Sequence, residues 1–263
     1  MKKKAEKLLE WLADKGSVLV AFSGGVDSSV VAKASYFSLG ENAIAVTARS
    51  STLSKSEFES AKKVAEEMGI SHIIIEEDEL DDPRFVENPE DRCYYCRSGL
   101  VTALKKLAKE KKINYVLDGA NSNDLKGHRP GLRALREQGA RSPLLELGFG
   151  KKDVRGIARD FGLSTYDKPS MACLASRIPY GEKITHGKLE MVEKAEDFLR
   201  GKGFRQVRVR HHHGIARIEV SDAEIEKVTR LRKEISEEFR KLGFKYIALD
   251  LEGYRSGSMD EVL

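Results

Sequence analysis

Apolar positions in the first part of the chain follow two different periods in turn, which predicts strands separated by helices. Short apolar runs containing β-branched residues are typical of buried parallel strands. They lie at residues 17–22, 43–47, 72–75 and 113–117, with a weaker fifth run at 143–147. Apolar stripes at helical spacing predict a helix beginning near Asp27 and further helices at 54–68, 100–108 and 152–161. This alternation predicts an α/β fold with a doubly wound parallel sheet.

The order of elements changes in the last third of the chain. The pattern there predicts, in order, a helix at 188–199, strands at 207–210 and 215–220, a long helix at 223–242 and a strand at 246–251. This order predicts a smaller α+β domain with an antiparallel pair. Residues 166–181 have little periodicity, which is typical of a functional loop. We therefore expect an α/β domain at 1–168, a cysteine-bearing connector at 169–183 and a small domain at 184–263.

Composition is compatible with a large and a small domain in one chain. The 263 residues are 40% apolar, 33% charged and carry a net charge of +4. Neither a run of about 18 apolar residues nor a signal-peptide core is present in the sequence, so we expect a cytoplasmic protein without a membrane segment. The slight positive excess permits an anionic ligand and gives little support for nucleic-acid binding.

The segment Ser23-Gly24-Gly25-Val26-Asp27-Ser28 joins the first predicted strand to the first helix. Two glycines allow a sharp turn and close approach of a ligand, and the helix start offers free N–H groups to an anion. The serine hydroxyls are further donors. Asp27 fits beside an anion when a divalent cation comes with it, so a magnesium nucleotide satisfies both demands. The alternative is an ordinary capped turn between strand and helix.

This hexapeptide resembles the PP-loop of the N-type ATP pyrophosphatases, which adenylate a substrate oxygen and release pyrophosphate. The resemblance implies an adenine nucleotide alpha hydrolase-like domain that uses ATP and Mg²⁺. It leaves the acceptor open, because GMP and NAD synthetases, argininosuccinate synthetase and several thiolation enzymes share the motif.

Strand ends and the family likeness together identify candidate nucleotide-binding residues, because ligands of such sheets bind beyond the carboxyl ends of the strands. Phosphates and magnesium are expected at Ser23, Gly24, Gly25, Asp27 and Ser28. The adenosine is expected beside Ala48 and Arg49, whereas Ser54 can simply cap the next helix. The residues expected to face magnesium or the triphosphate are Asp118, Gly119, Asn121 and Asp124.

The three cysteines, Cys93, Cys96 and Cys173, are too few and too uneven in number for a disulfide framework. Cys93 and Cys96 form a C-x-x-C pair that can bind one metal centre or act as a redox pair. Structural zinc normally takes four ligands. Three thiolates with an open fourth position suit a [4Fe–4S] cluster that binds an extra sulfide. Reactive thiols without a metal, zinc, and no role at all are the alternatives.

A second resemblance lies in the segment from Pro169 to Gly181, PSMACLASRIPYG, together with residues 206–220. It is similar to the LarE group of sulfur transferases, which thiolate a pyridinium dicarboxylate mononucleotide on the way to the nickel-pincer cofactor of lactate racemase. The resemblance implies that a carboxylate is adenylated, that a sulfur nucleophile displaces AMP, and that the product is a thiocarboxylate. It also implies a homo-oligomer, a hexamer, with the small domain serving substrate binding and assembly.

Known variants of this family differ in their source of sulfur. In one, a cysteine at the place of Cys173 surrenders its own sulfur and becomes dehydroalanine. In the other, that cysteine and a C-x-x-C pair bind a [4Fe–4S] cluster, which passes on sulfide from an external donor. Because Cys93 and Cys96 are both present, we favour the cluster variant, with Cys173 also as the catalytic residue. A buried structural cysteine is the remaining alternative for Cys173.

Arg208 and Arg210 occupy alternate positions of a predicted strand, so they project from one face and could hold a phosphate. A solvated strand face is the alternative. The family likeness implies that both arginines bind the substrate phosphate and that Glu196 and Glu219 line the same site. The run of histidines at 211–213 predicts a turn, because consecutive strand residues alternate sides and do not converge on a metal.

Two rival functions are compatible with the motifs. A PP-loop tRNA thiolase can also use three cysteines, but the small net charge and the lack of an appended basic domain give it little support. A nucleotide sensor without chemistry would explain the PP-loop, yet it leaves the thiols without a purpose.

Overall fold

The computed structural model of the chain describes residues 2–125, 129–169, 172–255, 257–259 and 261. These form two compact units, one from Met1–Glu79 and Asp91–Met171 and the other from Leu80–Glu90 and Ala172–Leu263. The boundaries predicted at residues 168 and 183 stay a prediction. Among the described residues, no helix is long and apolar enough to cross a membrane.

Strands and helices alternate through most of the chain. The strands are β1 (Val18–Ala21), β2 (Ala43–Arg49), β3 (Ser71–Glu76), β4 (Tyr115–Leu117), β5 (Val207–His212), β6 (Ile215–Val220) and β7 (Tyr246–Leu249). The helices are α1 (Lys2–Ala13), α2 (Val26–Leu39), α3 (Lys55–Met68), α4 (Pro83–Val86), α5 (Arg92–Glu110), α6 (Pro130–Glu137), α7 (Pro143–Glu146), α8 (Lys151–Asp160), α9 (His186–Gly201), α10 (Ile225–Arg230) and α11 (Arg232–Lys241).

The first unit is built on a parallel sheet with the strand order β3-β2-β1-β4 and helices on both faces. Along β1, Val18 and Val20 pack with α1, α2, α3 and α8, whereas Leu19 packs with α5 and α6. Both faces of β1 are therefore buried, which explains its continuous apolar sequence. The doubly wound fold is confirmed.

The connections of this sheet create a gap at one edge. After β1 the chain builds β2 and β3 on one side, and it returns to the other side of β1 for β4. The segments that follow β1 and β4 therefore diverge. Ligands of open α/β sheets bind at such a switch point, beyond the carboxyl ends of the strands.

The predicted strand at 143–147 is wrong, because Pro143–Glu146 forms the short helix α7. Pro143 lacks the N–H that a strand ladder needs, and its fixed φ suits the first position of a helix. Glu146 also accepts a hydrogen bond from the Ser142 N–H at 3.3 Å. Near this segment, Leu117 and Arg141 form an isolated parallel bridge.

Two predicted helices have different bounds in the structure. Helix α5 begins at Arg92, so the C-x-x-C pair lies in its first turn. The long helix predicted at 223–242 is divided into α10 and α11 at Leu231, which has φ −90° and ψ 8°. This break leaves Val228, Ile235 and Phe239 all buried in one core.

The second unit contains a three-stranded sheet of order β5-β6-β7, with β5 and β6 antiparallel and β6 and β7 parallel. The predicted α+β character is confirmed. Val207 and Val209 of β5 face a core shared with α9, α10 and α11. Of the three consecutive histidines, His211 and His212 end β5, and only His213 lies in the turn, with a φ of 48°.

Candidate active site

The loop between β1 and α2 is held in one conformation by its own hydrogen bonds. Ser28 Oγ accepts from the Ser23 N–H at 3.2 Å and donates to the Gly25 carbonyl at 3.1 Å. Ser23 Oγ accepts from the Gly25 N–H at 3.4 Å. Gly25 is the N-cap residue of α2, and no side chain caps the helix. The first turn of α2 therefore presents N–H groups to an anion.

Two glycines bring backbone segments together at this loop. Gly24 has a φ of +67°, and a Cβ atom there would lie 2.7 Å from the Cα atom of Ala61 in α3. A Cβ atom on Gly119, just after β4, would lie 2.8 Å from the backbone nitrogen of Ser28. The segment after β4 therefore lies directly against the start of α2, as the predicted nucleotide site requires.

Asp27 is the centre of a polar network that joins three segments. Its carboxylate accepts from Asn121 Nδ2 at 3.2 Å and forms an ion pair with Lys151. Asn121 is buried, and its N–H donates to Asp124 Oδ2 at 3.0 Å. The structure thus brings Asp27, Asn121 and Asp124 together. Their assignment as ligands stays a prediction.

Asp118 is a buried carboxylate that directly follows β4. Its side chain is 4% exposed, and Oδ1 accepts from the Ala120 N–H at 2.7 Å. Oδ2 has no hydrogen-bond partner among the described residues. Burial raises the pKa of this carboxyl above its ordinary value. Carboxylate oxygens are ligands that Mg²⁺ prefers, so the chemistry of this side chain suits the cation.

Lys151 and Lys168 belong to the same surroundings, and the sequence patterns missed both. Lys168 Nζ donates to the Gly24 carbonyl at 3.3 Å and to Ser60 Oγ at 2.9 Å. It also pairs with Glu57 at 2.9 Å. Forty-six lysines and arginines occur in the chain, and no periodic pattern distinguishes these two.

The residues predicted beside the adenosine lie at the end of β2. Ala48 is half-buried and Arg49 is exposed. The Arg49 guanidinium lies 5.6 Å from the centre of the Phe58 ring, on α3. Ser54 accepts from the Glu57 N–H at 3.3 Å, which confirms it as the cap of α3. The adenosine contact itself stays a prediction.

None of the three cysteines takes part in a disulfide. Cys93 and Cys96 lie three residues apart in the first turn of α5, a spacing that places side chains on one helix face. The Cys96 thiol donates to Glu79 at 3.5 Å, and Glu79 also accepts from Thr52 at 3.1 Å. No group of three or more His, Cys, Asp or Glu side chains in the described ranges is arranged to hold a metal.

Cys173 is exposed and directly precedes a short 3-10 turn, Leu174–Arg177. The alternative of a buried structural cysteine is therefore wrong. Leu174 and Ala175 are buried beside it, so the turn itself is anchored. Ser170 and Met171 of the surrounding signature lie outside the described residues.

The charged face of the second unit is buried, so the alternative of a solvated strand face is wrong. Arg208 and Arg210 are 4% and 5% exposed. Arg210 donates to both carboxylate oxygens of Glu219, at 2.9 and 2.7 Å. It also donates to the Ser176 carbonyl at 3.0 Å. This face of β5 therefore contacts the turn that follows Cys173.

Glu196 is enclosed on α9, with a side chain that is 0% exposed. Its oxygens accept from Arg177, from Arg200 and from the Val209 N–H. Burial opposes ionisation, but the charges of Arg177, Arg200 and Arg208 outweigh it and hold the pKa of Glu196 below its ordinary value. The carboxylate of Glu196 is thus hydrogen-bonded to side chains and backbone of the protein.

Positive charge exceeds negative charge around this face. Four arginines and three carboxylates take part: Arg177, Arg208, Arg210 and Arg217 with Glu196, Glu219 and Asp250. Burial, followed by repulsion from Arg177, lowers the pKa of Arg208. An anion brought to this face would relieve the repulsion.

The fold and the loop define the class of the protein: an ATP-using enzyme with a PP-loop pyrophosphatase domain. The asparagine synthase family matches residues 11–214. A glutamine-hydrolyzing GMP synthase component from Archaeoglobus fulgidus is 29% identical over 198 residues, which cover 70% of this chain and 64% of that protein.

Two relatives are similar along the full length. A protein of Lactiplantibacillus plantarum named pyridinium-3,5-bisthiocarboxylic acid mononucleotide synthase is 40% identical over 261 residues, 99% of this chain and 95% of its own. An uncharacterized protein of Synechocystis is 44% identical over 265 residues, 100% of this chain and 99% of its own. The chain belongs to the LarE family of adenylating sulfur transferases.

Replacement of Gly24 by alanine should destabilise the protein and abolish nucleotide binding. We expect G24A to lower the free energy of unfolding by about 3 kcal/mol, from the left-handed φ and the contact with Ala61 together. Gly162 is a matched control, because its φ of +69° is similar and no atom of the described residues lies within 4 Å of a Cβ atom there. G162A should cost only about 1 kcal/mol and retain ATP binding. Urea unfolding and calorimetric ATP titration measure both; equal costs would show that the Ala61 contact is unimportant.

Replacement of Asp118 by asparagine should stabilise the ligand-free protein and abolish pyrophosphate release. The folded-state pKa of Asp118 is raised, so the carboxylate costs stability as pH rises from its unfolded value through its folded value. We expect D118N to gain about 1 kcal/mol at pH 7 and almost nothing near pH 4, measured by urea unfolding.

Asp124 provides the control for that experiment. It is also acidic, but it accepts the Asn121 N–H, so D124N should not stabilise the protein at either pH. An equal gain in both variants would indicate a general effect of removing negative charge, and the account of Asp118 would be wrong.

Proposed function

We propose that the protein is an ATP-dependent sulfur transferase that activates a carboxylate of a pyridinium dicarboxylate mononucleotide and converts it to a thiocarboxylate. The observation that carries the proposal is the contact between Arg210 and the Ser176 carbonyl, at 3.0 Å. It joins a buried basic face, suited to a phosphate, to the turn that presents the Cys173 thiol. The name of the Lactiplantibacillus relative supports this acceptor.

The first half-reaction is adenylation. A carboxylate oxygen of the substrate attacks the α-phosphorus of ATP, the bond from that phosphorus to the β-phosphate oxygen breaks, and pyrophosphate leaves. The N–H groups and hydroxyls of Ser23–Ser28 would hold the phosphates. Asp27 and Asp118 would hold Mg²⁺, which neutralises phosphate charge when bound.

The second half-reaction is sulfur transfer. Hydrosulfide attacks the acyl carbon, the carbon–oxygen bond to AMP breaks, AMP leaves with the electron pair, and one proton is released. The substrate phosphate would lie on Arg208 and Arg210, with Glu196 and Glu219 behind them as counter-charges. We propose an external sulfide donor and, by likeness to the family, a hexamer.

Cys93, Cys96 and Cys173 are proposed as the residues that would hold a [4Fe–4S] cluster, which would take up sulfide from the external donor. Such a cluster, when bound by three thiolates, supplies an open iron position for sulfide. Three cysteines without disulfides are the donors that it needs, and the helix start at Cys93 favours anionic ligands. Donation of sulfur by Cys173 alone is the competing route.

A pyrophosphate-release assay with different acceptors tests the substrate. We expect release with the pyridinium dicarboxylate mononucleotide and none with unmodified tRNA. Arg208→Lys should raise the KM for the mononucleotide by about tenfold, because lysine is a poorer partner for phosphate than the arginine fork. Release with tRNA alone would establish a tRNA thiolase, and no release with either would establish a nucleotide sensor.

The two sulfur sources are separated by Cys93→Ala and Cys173→Ala. In the cluster route, both variants should lose the broad absorption near about 400 nm of the reconstituted protein, together with multiple turnover. In the sacrificial route, only Cys173→Ala is inactive, and the unmodified chain becomes lighter by about 34 Da, one hydrogen sulfide, after a single turnover. Absorption and turnover unchanged in Cys93→Ala would contradict the cluster.

A further inference from the structure

We propose that Arg177 is the positioning residue for the Cys173 sulfur and that Glu196 serves to hold Arg177, without contacting the substrate itself. The proposal rests on the proposed function in one respect, namely that Cys173 takes part in sulfur transfer. It concerns residues of the second unit alone. Neither the family motif nor the strand pattern had assigned a role to Arg177.

One end of the Arg177 guanidinium determines the backbone around Cys173. Arg177 is 0% exposed. Its Nη1 atom donates to the carbonyl of Ala172 at 2.7 Å and to the carbonyl of Cys173 at 3.0 Å. The Ser176 hydroxyl adds a second link, because it donates to the Cys173 carbonyl at 2.8 Å and lies 3.0 Å from the same Nη1 atom. Two successive carbonyls are thus directed at one buried cation.

This arrangement decides where the thiol points. With the carbonyls of Ala172 and Cys173 drawn inward and with Leu174 and Ala175 buried, the Cys173 side chain is left exposed. The exposure comes from an anchored turn. A reacting sulfur must be held within a fraction of an ångström of its attack position, and misplacement by about 1 Å can cost a hundredfold in rate.

The other end of the guanidinium is held by Glu196. Arg177 Nε and Nη2 donate to the two oxygens of Glu196 at 2.8 and 3.1 Å. Glu196 also accepts from the Val209 N–H at 3.1 Å, which ties it to β5 between Arg208 and Arg210. The pair therefore connects the cysteine turn to the strand that carries the proposed phosphate site.

A pure stability role explains this pair poorly. Burying two charges costs several kcal/mol of desolvation, and apolar residues of similar volume are often as stabilising. What the pair provides is geometry: the planar fork contacts Glu196 with two nitrogens and the carbonyls with the third. A lysine keeps the charge but loses the fork, so Arg177→Lys isolates the positioning role.

Arg200→Lys is the matched control, because Arg200 also donates to Glu196, at 2.5 Å, while its other hydrogen bond goes to Asp197 on the same helix. Two reactions of the holoenzyme are measured separately: pyrophosphate release and thiocarboxylate formation. We expect R177K to lower the kcat for thiocarboxylate formation by about tenfold or more. Pyrophosphate release and the KM for the mononucleotide should stay within about twofold, and R200K should leave both reactions unchanged.

Equal losses of both reactions in R177K would overturn the proposal, because they would indicate a general structural defect. Unchanged thiocarboxylate formation would overturn it as well. Ser176→Ala serves as a milder second variant if R177K fails to fold, since it removes one link to the Cys173 carbonyl at a partly exposed position. It should lower thiocarboxylate formation by a few fold, again without changing pyrophosphate release.

Amide hydrogen exchange tests the positioning independently of activity. The N–H groups of Ser176 and Ile178 donate to the carbonyls of Cys173 and Ala175 at 3.0 and 3.1 Å. Their exchange should accelerate by about tenfold in R177K and remain unchanged in R200K. If the unmodified protein released no pyrophosphate with the mononucleotide, the proposed function would fail, but this measurement would still decide the role of Arg177.

Discussion

The close approach of Gly119 to Ser28 is the constraint on which the nucleotide site depends. Because a Cβ atom on residue 119 would lie 2.8 Å from the Ser28 nitrogen, only a glycine lets the chain after β4 pass the start of α2. Asn121, two residues further along this segment, donates to the Asp27 carboxylate at 3.2 Å. A larger residue would separate β4 from β1 or displace α2. The switch point of the sheet thus becomes a site because two backbones meet there without side chains between them.

Each unit buries charged side chains at its candidate site. In the first unit, Asp118 Oδ2 is buried without a hydrogen-bond partner among the described residues. In the second, Arg177, Arg208 and Arg210 are buried together with Glu196 and Glu219, and burial and the charge of Arg177 lower the pKa of Arg208. A bound cation would pair with Asp118 in the first unit, and a bound anion would pair with the arginines in the second. Ionisable groups with perturbed pKa values are typical of functional sites.

The sequence patterns predicted features that depend on residues close together in the sequence, and they missed features that depend on distant ones. Strands β1, β2 and β6 and the cap at Ser54 depend on neighbours a few residues apart, and the patterns found them. The strand predicted at 143–147 failed because an apolar run has no period, and Pro143 favoured a helix start. The role of Arg177 was missed because it depends on hydrogen bonds to Glu196, which lies 19 residues away on α9. Lys168 was missed because its partner carbonyl, on Gly24, is 144 residues away in sequence.

The loop at Ser23–Ser28 and the turn at Cys173 are each held in one conformation, but by different interactions. Both must hold a short segment in a single conformation beside reacting atoms. In the loop, the backbone packs closely against α3, because Gly24 has no Cβ atom and fits against Ala61. The turn is held by a buried cation, since Arg177 gathers the carbonyls of Ala172 and Cys173. A backbone whose N–H groups bind phosphate must remain accessible to the ligand. A backbone that only positions a thiol can be held by a buried side chain on its opposite side. This difference explains why glycines mark the first segment and a buried arginine marks the second.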